Sequence, residues 1–359
     1  MRTLLVLITG VCIWLGWLVD SVRRQHEAVA WIQSHGGSLT YPADPKSQRN
    51  WLGRLGLEFD CPVELHLRID GDSSPALSRI GRLTGLRQLR LEGHAVSDLT
   101  PLASLTQLGV LKLSGTGVRD LSALSRLTKL DTLMLNDTRI ADLSPLGGLA
   151  QLRWLEINDT SVSDLSPLAE LARLTHLKSA DTQVLDLAPL AGVSSLVWLE
   201  LDRTKVRDLS PLSQLAKLEA VKVSGTAVRD LSPLAGLAQL QHLAVDNTAV
   251  TDLAPLSKLT SLKTLSLADA RVSDLSPLKN HRQLFAVVLA GGAEQDLASL
   301  AQLPSLQYLE ISGKPPGDLT PLTRLPALTE LVLDPSWQNS EAVAKLRIDL
   351  PNLMLMFRP

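Results

Sequence analysis

The sequence predicts an α/β solenoid in which short parallel strands alternate with tight turns, one of each per repeat. The first observation is an Asp-Leu pair that recurs every 22 residues without an insertion. The second is a Leu-x-x-Leu-x-Leu frame of the same period, as in Leu130, Leu133 and Leu135. The third is a threonine column in the same register. The aspartates are Asp98, Asp120, Asp142, Asp164, Asp186, Asp208, Asp230, Asp252, Asp274, Asp296 and Asp318, and the threonines are Thr116, Thr138, Thr160, Thr182, Thr204, Thr226 and Thr248. Such a fixed period indicates a repeat architecture, because one repeat cannot bury its apolar side chains alone.

Each position of the repeat has a mechanical role. The x-Leu-x-Leu stretch alternates with a period of two, which predicts a short strand whose leucines point inward. The aspartate accepts a backbone hydrogen bond and caps the turn that follows. A proline stands three residues after most of these aspartates, where a first helical turn needs no N–H. The remaining return path is too short for a long helix, which predicts mostly 3₁₀ turns.

The N-terminal run, residues 3–19, is apolar and uncharged. Seventeen helical residues rise about 25 Å, slightly less than a hydrocarbon core of about 30 Å. The run therefore predicts an uncleaved, single-pass membrane anchor. The repeat domain is expected outside the cytoplasm, although the nearly balanced flanking charges leave the side open. The alternatives are a cleaved signal peptide, for which no small-x-small site follows the run, and a lipoprotein that uses Cys12.

The pattern divides the chain into four segments. They are 1–22, a transmembrane anchor or signal segment; 23–62, a juxtamembrane helix and N-terminal cap; 63–337, the repeat solenoid; and 338–359, a C-terminal cap helix and last strand. Residues 22–35 are predicted to form an amphipathic helix, 41–50 to break the pattern, and 63–69 to form the first strand. Ser340 is placed to cap a short helix over 341–347. Both atypical ends would shield an open core.

Composition excludes several classes of protein. The net charge is -2, from 35 basic and 37 acidic residues, which gives no electrostatic reason to expect a nucleic-acid partner. The two cysteines, Cys12 and Cys61, exclude an intrachain disulfide framework. The sequence shows no phosphate loop and no metal-ligand spacing, so no cofactor is expected.

The repeat resembles the 22-residue leucine-rich repeat of bacterial internalins. Its frame, Leu-x-x-Leu-x-Leu-x-x-Asn/Thr-x-Ile/Val-x-Asp-Ile/Leu-x-Pro-Leu, is followed from Leu86 to Leu322. The resemblance implies a right-handed leucine-rich-repeat solenoid with parallel strands on the concave face and 3₁₀ or helical turns on the convex face. It also implies a protein-binding role without naming the partner. The N-terminal order of apolar segment, Arg23-Arg24, Gly36-Gly37 and Trp51-Leu52 is similar to that of membrane-anchored planctomycete repeat proteins.

Two columns of side chains are predicted to point outward onto the concave face, because the leucines beside them point inward. The first column contains Trp154, His176, Trp198, His242 and Tyr308. The second contains Glu156, Lys178, Glu200 and Lys222, which alternate in sign. Trp and Tyr are common in binding hot spots, so these columns form the predicted binding site. The alternatives without a ligand are ring stacking between strands and a neutralising ladder of surface charges.

Catalysis has little support in the sequence. Glu156 and Glu200 are expected about 9.6 Å apart along the sheet, near the separation found in inverting glycosidases. Lys178 stands between them and would keep both ionised, whereas a general acid must be protonated. An open face also excludes water poorly. The sequence therefore predicts a protein that is not an enzyme.

Three further carboxylates, Asp137, Asp159 and Asp181, are expected to form a ladder at strand ends. Calcium could bridge such a ladder, but a hydrogen-bonded turn explains it equally well, so no metal site is predicted.

Three functions follow from the sequence. The leading hypothesis is a membrane-tethered module for protein–protein interaction through the concave face. The second is a carbohydrate-binding adhesin or cell-envelope component that uses Trp154 and Trp198 as sugar platforms. The third is a structural spacer without a specific ligand.

Overall fold

The computed structural model describes residues 2–41, 62–291, 297–313 and 318–358. They divide into two compact units, Met1–Trp154 and Leu155–Pro359. The helices are α1 Arg2–Ser34, α2 Ser74–Ile80, α3 Leu297–Leu300 and α4 Glu341–Asp349. The strands are β1 Ser38–Thr40, β2 Glu64–Arg68, β3 Gln88–Glu92, β4 Val110–Lys112, β5 Thr132–Met134, β6 Trp154–Glu156, β7 His176–Lys178, β8 Trp198–Glu200, β9 Ala220–Lys222, β10 His242–Ala244, β11 Thr264–Leu267, β12 Ala286–Gly291, β13 Tyr308–Gly313, β14 Glu330–Leu333 and β15 Met354–Phe357. The unit boundary falls within β6.

In the first unit, β2 to β5 are parallel and lie side by side in chain order. Leu89, Leu111 and Leu133 share one register position on β3, β4 and β5. Each of these leucines is at most 1% exposed, because its neighbours on the adjacent strands cover it. β1 pairs with β2 in the antiparallel sense, a strand that the repeat pattern did not predict since it precedes the first repeat.

In the second unit, β7 to β15 are likewise parallel and adjacent in chain order. Leu177, Leu199, Val221 and Leu243 occupy the same register position on four successive strands. None of them is more than 2% exposed. The prediction of stacked parallel strands with leucines inward and short 3₁₀ turns between them is confirmed.

The turns show why the aspartate, proline and threonine recur. The Oδ1 atom of Asp142 accepts the backbone N–H of Ser144 at 2.8 Å, and Pro145 stands in the 3₁₀ turn Ser144–Leu146 that begins there. The Thr138 hydroxyl donates to the Leu135 carbonyl at 2.6 Å. The same two hydrogen bonds, one to the aspartate and one from the threonine, recur in most of the described repeats. Each turn is therefore fixed locally, which allows the core leucines to keep a 22-residue spacing.

The N-terminal prediction requires correction. The anchor over 1–22 and the separate helix over 22–35 are one continuous helix, α1. It ends where Gly36 adopts a φ of 77°, and the Gly37 N–H donates to the Ile32 carbonyl at 2.9 Å. Within the described part of the chain, no helix is both long and apolar enough to cross a membrane. The membrane anchor predicted over residues 3–19 thus receives no support.

The second half of α1 packs on the first turn of the repeat stack. Ile32 is fully buried, and the Arg79 guanidinium of α2 lies 4.9 Å from the Trp31 ring centroid. The Gln25 amide donates to the Arg82 carbonyl at 3.3 Å. The helix α2 was not predicted, because it belongs to an atypical first repeat. The predicted break over 41–50 and the Trp51-Leu52 pair lie, apart from Tyr41, outside the described residues.

At the other end, α4 and β15 follow the last turn. The Ser340 hydroxyl accepts the Val343 N–H at 3.3 Å, which caps α4. Trp337, which precedes this segment, is fully buried, and its indole N–H donates to the Gly313 carbonyl at 2.7 Å. The apolar end of the stack is thus covered by side chains that the repeat itself does not supply.

Candidate binding surface

The parallel register of the second unit sets the outward side chains in two columns. On β7 to β10 the first column holds His176, Trp198, Ala220 and His242, and the second holds Lys178, Glu200, Lys222 and Ala244. Successive members of a column are about 4.8 Å apart. This arrangement follows from the period alone, since equal spacing in sequence places equivalent residues side by side.

Two rings of the first column converge. The Trp198 and His242 ring centroids are 6.2 Å apart at an interplanar angle of 38°. Their backbones are two strands apart, about 9.6 Å, so the side chains lean toward each other over the residue between them. That residue is Ala220, which is 0% exposed although it belongs to the outward column. Its methyl group is small enough to let the rings meet above it.

Charged side chains of the second column border these rings. Lys222 Nζ lies 5.2 Å from the Trp198 ring centroid, within the range of a cation–π interaction. The same ammonium lies 3.7 Å from Glu200 Oε2. We refer to Trp198, Ala220, His242, Lys222 and Glu200 as the Trp198 cluster. It combines an apolar centre with one ion pair at its edge.

The second column pairs as the alternating signs predict. Lys178 Nζ is 3.1 Å from Glu156 Oε1, and Glu156 is only 8% exposed. With Lys222 and Glu200, this makes two separate ion pairs.

The surroundings of His242 disfavour the charged form of its imidazole. Its burial lowers the pKa below the ordinary value of 6.5, and the positive charge of Lys263 lowers it further. Glu219 acts in the opposite direction. Nδ1 of His242 lies 2.9 Å from the Thr264 hydroxyl, within hydrogen-bond distance. This contact orients the ring.

The indole of Trp198 has an unpaired donor. Its Nε1 atom is buried and has no hydrogen-bond partner among the described residues. A buried N–H without an acceptor costs about 1–3 kcal/mol. The ring is therefore held at this position by its packing and by Lys222, against a polar cost.

The remaining predicted site residues are not part of this cluster. Trp154, the last residue of the first unit, is half-buried, and its backbone N–H donates to the Asp131 carbonyl at 3.0 Å. His176 is half-buried, with Nδ1 2.9 Å from the Thr175 hydroxyl. Tyr308 lies on β13, separated from β10 by two strands. Its hydroxyl donates to Glu310, and burial raises the pKa of Tyr308 to about 12.

The strand-end carboxylates have a conformational role. Asp137, Asp159 and Asp181 have φ values of 53°, 54° and 55°, in the left-handed region that Asp, Asn and Gly tolerate best. Arg203 occupies the same repeat position with φ 56° and donates from Nε to Asp181 at 2.6 Å. Among the described residues, no group of three or more His, Cys, Asp or Glu side chains is placed to hold a metal ion.

Sequence reasoning missed the carboxylates one position earlier in the repeat. The Asp202 carboxylate accepts the Ser224 N–H at 2.7 Å, and Asp246 accepts the Ala268 N–H at the same distance. Burial raises the pKa of Asp202 above its ordinary value of 3.8. A column of Asn, Asp and Ser at 136, 158, 202, 224 and 246 was the available signal. These side chains link neighbouring strands where the strand ladder ends.

Comparison with known proteins agrees with the geometry. A family model described as Leucine Rich repeats (2 copies) matches residues 238–280. The solved structure of an internalin C2 (inlC2) from Listeria monocytogenes is 34% identical, covers 60% of this chain and 92% of its own, and has a TM-score of 0.53. The chain belongs to the leucine-rich-repeat family. A second Listeria monocytogenes internalin (inlF) is 28% identical over 80% of this chain and 88% of its own, with a TM-score of 0.71.

The fold of this leucine-rich-repeat protein also occurs in a plant receptor. The ectodomain of the Arabidopsis thaliana membrane receptor kinase GASSHO1/SCHENGEN3 has a TM-score of 0.60 at 19% identity, over 89% of this chain and 42% of its own. No curated protein matches the sequence. Leucine-rich-repeat domains are typical protein-interaction modules, and the partner of each is set by its exposed side chains.

Proposed function

We propose that this leucine-rich-repeat protein binds another protein through the Trp198 cluster. The observation that carries the proposal is the convergence of Trp198 and His242 over a fully covered Ala220. It creates an apolar centre on a strand face whose other outward residues are largely polar. A half-buried indole fixed by its neighbours offers contact area at a low entropic cost, as binding hot spots do.

The charges around the rings suit a protein interface. Glu200 and Lys222 form an ion pair at the edge of the apolar centre, and Glu156 and Lys178 form a second pair further along. Apolar centres with polar rims are the usual anatomy of a protein interface. Both pairs are net neutral, so they select a partner by the position of its charges and not by its overall charge.

A protein partner is favoured over a sugar. A sugar platform requires an open ring face, and the Lys222 ammonium lies over the Trp198 ring at 5.2 Å from its centroid. The GASSHO1/SCHENGEN3 ectodomain was solved in complex with CASPARIAN STRIP INTEGRITY FACTOR 2. In that receptor, a leucine-rich-repeat fold therefore binds this factor. Glycan binding through Trp154 and Trp198 stays the second hypothesis of the sequence.

Membrane tethering is a separate proposal. It rests on the uncharged apolar run over residues 3–19, whose flanking charges do not fix the side of the membrane on which the repeat domain lies. If it is correct, the full chain stays with the membrane fraction after alkaline carbonate extraction. Recovery of the full chain in the supernatant would contradict it.

Peptide display tests the proposed binding surface without a known partner. A random peptide library is selected on the immobilised full chain, and the selected clones are then screened against Trp198→Ala and against Gln214→Ala, an exposed residue beyond the turn that follows β8. We expect most clones to bind the Gln214→Ala protein normally and to lose binding to the Trp198→Ala protein. Clones that bind both variants equally would contradict the proposal.

A further inference from the structure

A second surface, in the first unit, has a different chemistry. A groove of ≈ 450 Å³ runs along the carboxyl ends of β2 to β5. Its lining includes Arg68, Arg90, Glu92, His94, Lys112 and Gly115, and we refer to it as the basic groove. Three cationic side chains and one carboxylate line it, in a chain whose net charge is -2. The lining of the groove is therefore net positive, whereas the chain as a whole is slightly negative.

The one carboxylate of the groove is already engaged. Glu92 Oε1 accepts from Arg90 Nε at 2.8 Å and lies 3.0 Å from His66 Nε2. Arg90 and, to a lesser extent, His66 hold the pKa of Glu92 below its ordinary value. Arg90 uses Nε and Nη2 for this contact. A guanidinium has five N–H donors, so the remaining ones are left for another acceptor.

Lys112 differs from the equivalent lysines of the second unit. Lys178 and Lys222 occupy the same column of the repeat, and each has a carboxylate within 4.0 Å. Lys112 is half-buried as they are, but its neighbours in the column are Arg90 and Met134. Within the described part of the chain it forms no ion pair. A partly desolvated ammonium without a counter-charge favours an anion that the chain does not provide.

A glycine keeps the groove open. Gly115 has a φ of 72° at the repeat position where the next three repeats carry Asp137, Asp159 and Asp181. A Cβ atom at Gly115 would meet nothing closer than Asp137 Oδ2 at 3.9 Å. Residue 115 thus adds no carboxylate of its own to the groove, although its backbone conformation suits an aspartate.

We propose that the basic groove binds an oxyanion of a peptide segment, held by the Lys112 ammonium and the open donors of Arg90, with His94 at the edge. The oxyanion is the carboxylate of an acidic residue or the phosphate of a phosphorylated one, since both accept the same charge-assisted hydrogen bonds. This inference does not rest on the Trp198 cluster, which lies in the other unit.

Fluorescence anisotropy with three labelled peptides tests it on the full chain. The peptides share one sequence and differ at three central positions, which hold glutamate, phosphoserine or glutamine. We expect the glutamate or the phosphoserine peptide to bind at least about tenfold more tightly than the glutamine peptide, with an affinity that falls as salt rises. The stronger of the two identifies the source of the oxyanion. Equal affinity for all three would overturn the proposal.

Variants separate the groove from general charge attraction. Lys112→Gln is expected to lower the ratio of the affinities for the anionic and the glutamine peptides by at least about tenfold. The control Lys129→Gln changes an exposed lysine that is bonded to Gln107 and should leave this ratio unchanged. Gly115→Asp places in the groove the residue that the next repeats carry, and it should abolish the preference while melting near the wild type. Trp198→Ala should leave anion binding intact. Equal effects of Lys112→Gln and Lys129→Gln, or full binding by Gly115→Asp, would overturn the proposal.

Discussion

The inward orientation of the core leucines is tested most sharply by Leu199→Ala on β8 of the second unit. Leu199 is 0% exposed and lies in register between Leu177 on β7 and Val221 on β9. Its removal leaves a cavity that the strands on both sides, fixed by their own turns, cannot readily close. Core Leu→Ala changes cost about 2–5 kcal/mol, and restrained surroundings favour about 3–4 kcal/mol here.

Urea denaturation measures this loss, and amide hydrogen exchange of β7 to β9 locates it. The exposed control Gln214→Ala is expected to stay within about 0.5 kcal/mol of the wild type. A Leu199→Ala protein that loses less than about 1 kcal/mol would show that this side chain is not part of a packed core. The outward assignment of Trp198, the preceding residue on the same strand, would then be wrong as well, because a one-residue shift reverses both faces.

Three further predictions concern single positions. Trp198→Phe keeps an aromatic ring in the cluster and removes the buried unpaired N–H, so its free energy of unfolding in urea should stay within about 1 kcal/mol of the wild type, while Trp198→Ala loses more. The turn aspartates such as Asp120 accept hydrogen bonds that lower their pKa below 3.8. The stability that they add is present above pH 3.8 and is lost as the pH falls through the lowered pKa. In acid, the melting temperature of the wild type should therefore fall more steeply than that of a variant with several turn aspartates changed to asparagine. His281 is 0% exposed in a column of leucines, and the two carbonyls that its ring nitrogens contact also accept backbone N–H groups. His281→Leu should therefore melt at or above the wild-type temperature in calorimetry. A clearly lower melting temperature would show that the hydrogen bonds of the ring are needed.

The repeat period predicted the positions of the strands and turns because each repeat solves the same packing problem. Once Leu133 and Leu155 are inward, the register of every equivalent leucine follows. The N-terminal end could not be predicted in this way. The continuous helix α1, the antiparallel strand β1 and the helix α2 occur where the pattern is absent, and the second half of α1 packs on the first repeat.

The candidate surface was predicted in part. The pairing of Lys178 with Glu156 and of Lys222 with Glu200 follows from alternating signs in one column. The burial of Ala220 does not, because it depends on the direction in which two long side chains lean. The basic groove was also missed. That Lys112 forms no ion pair among the described residues is recognised only when the structure shows that Lys178 and Lys222, in the same column, are paired.

The central claim, that Trp198 is a contact residue, is tested by isothermal titration calorimetry of one peptide selected on the wild-type chain. The dissociation constant is measured for the wild type, Trp198→Ala and Gln214→Ala, each first shown to be folded by its melting curve. The account predicts that Trp198→Ala weakens binding by at least about 2 kcal/mol, or roughly 30-fold, while Gln214→Ala binds as the wild type does. A folded Trp198→Ala protein that binds the peptide with wild-type affinity would contradict it.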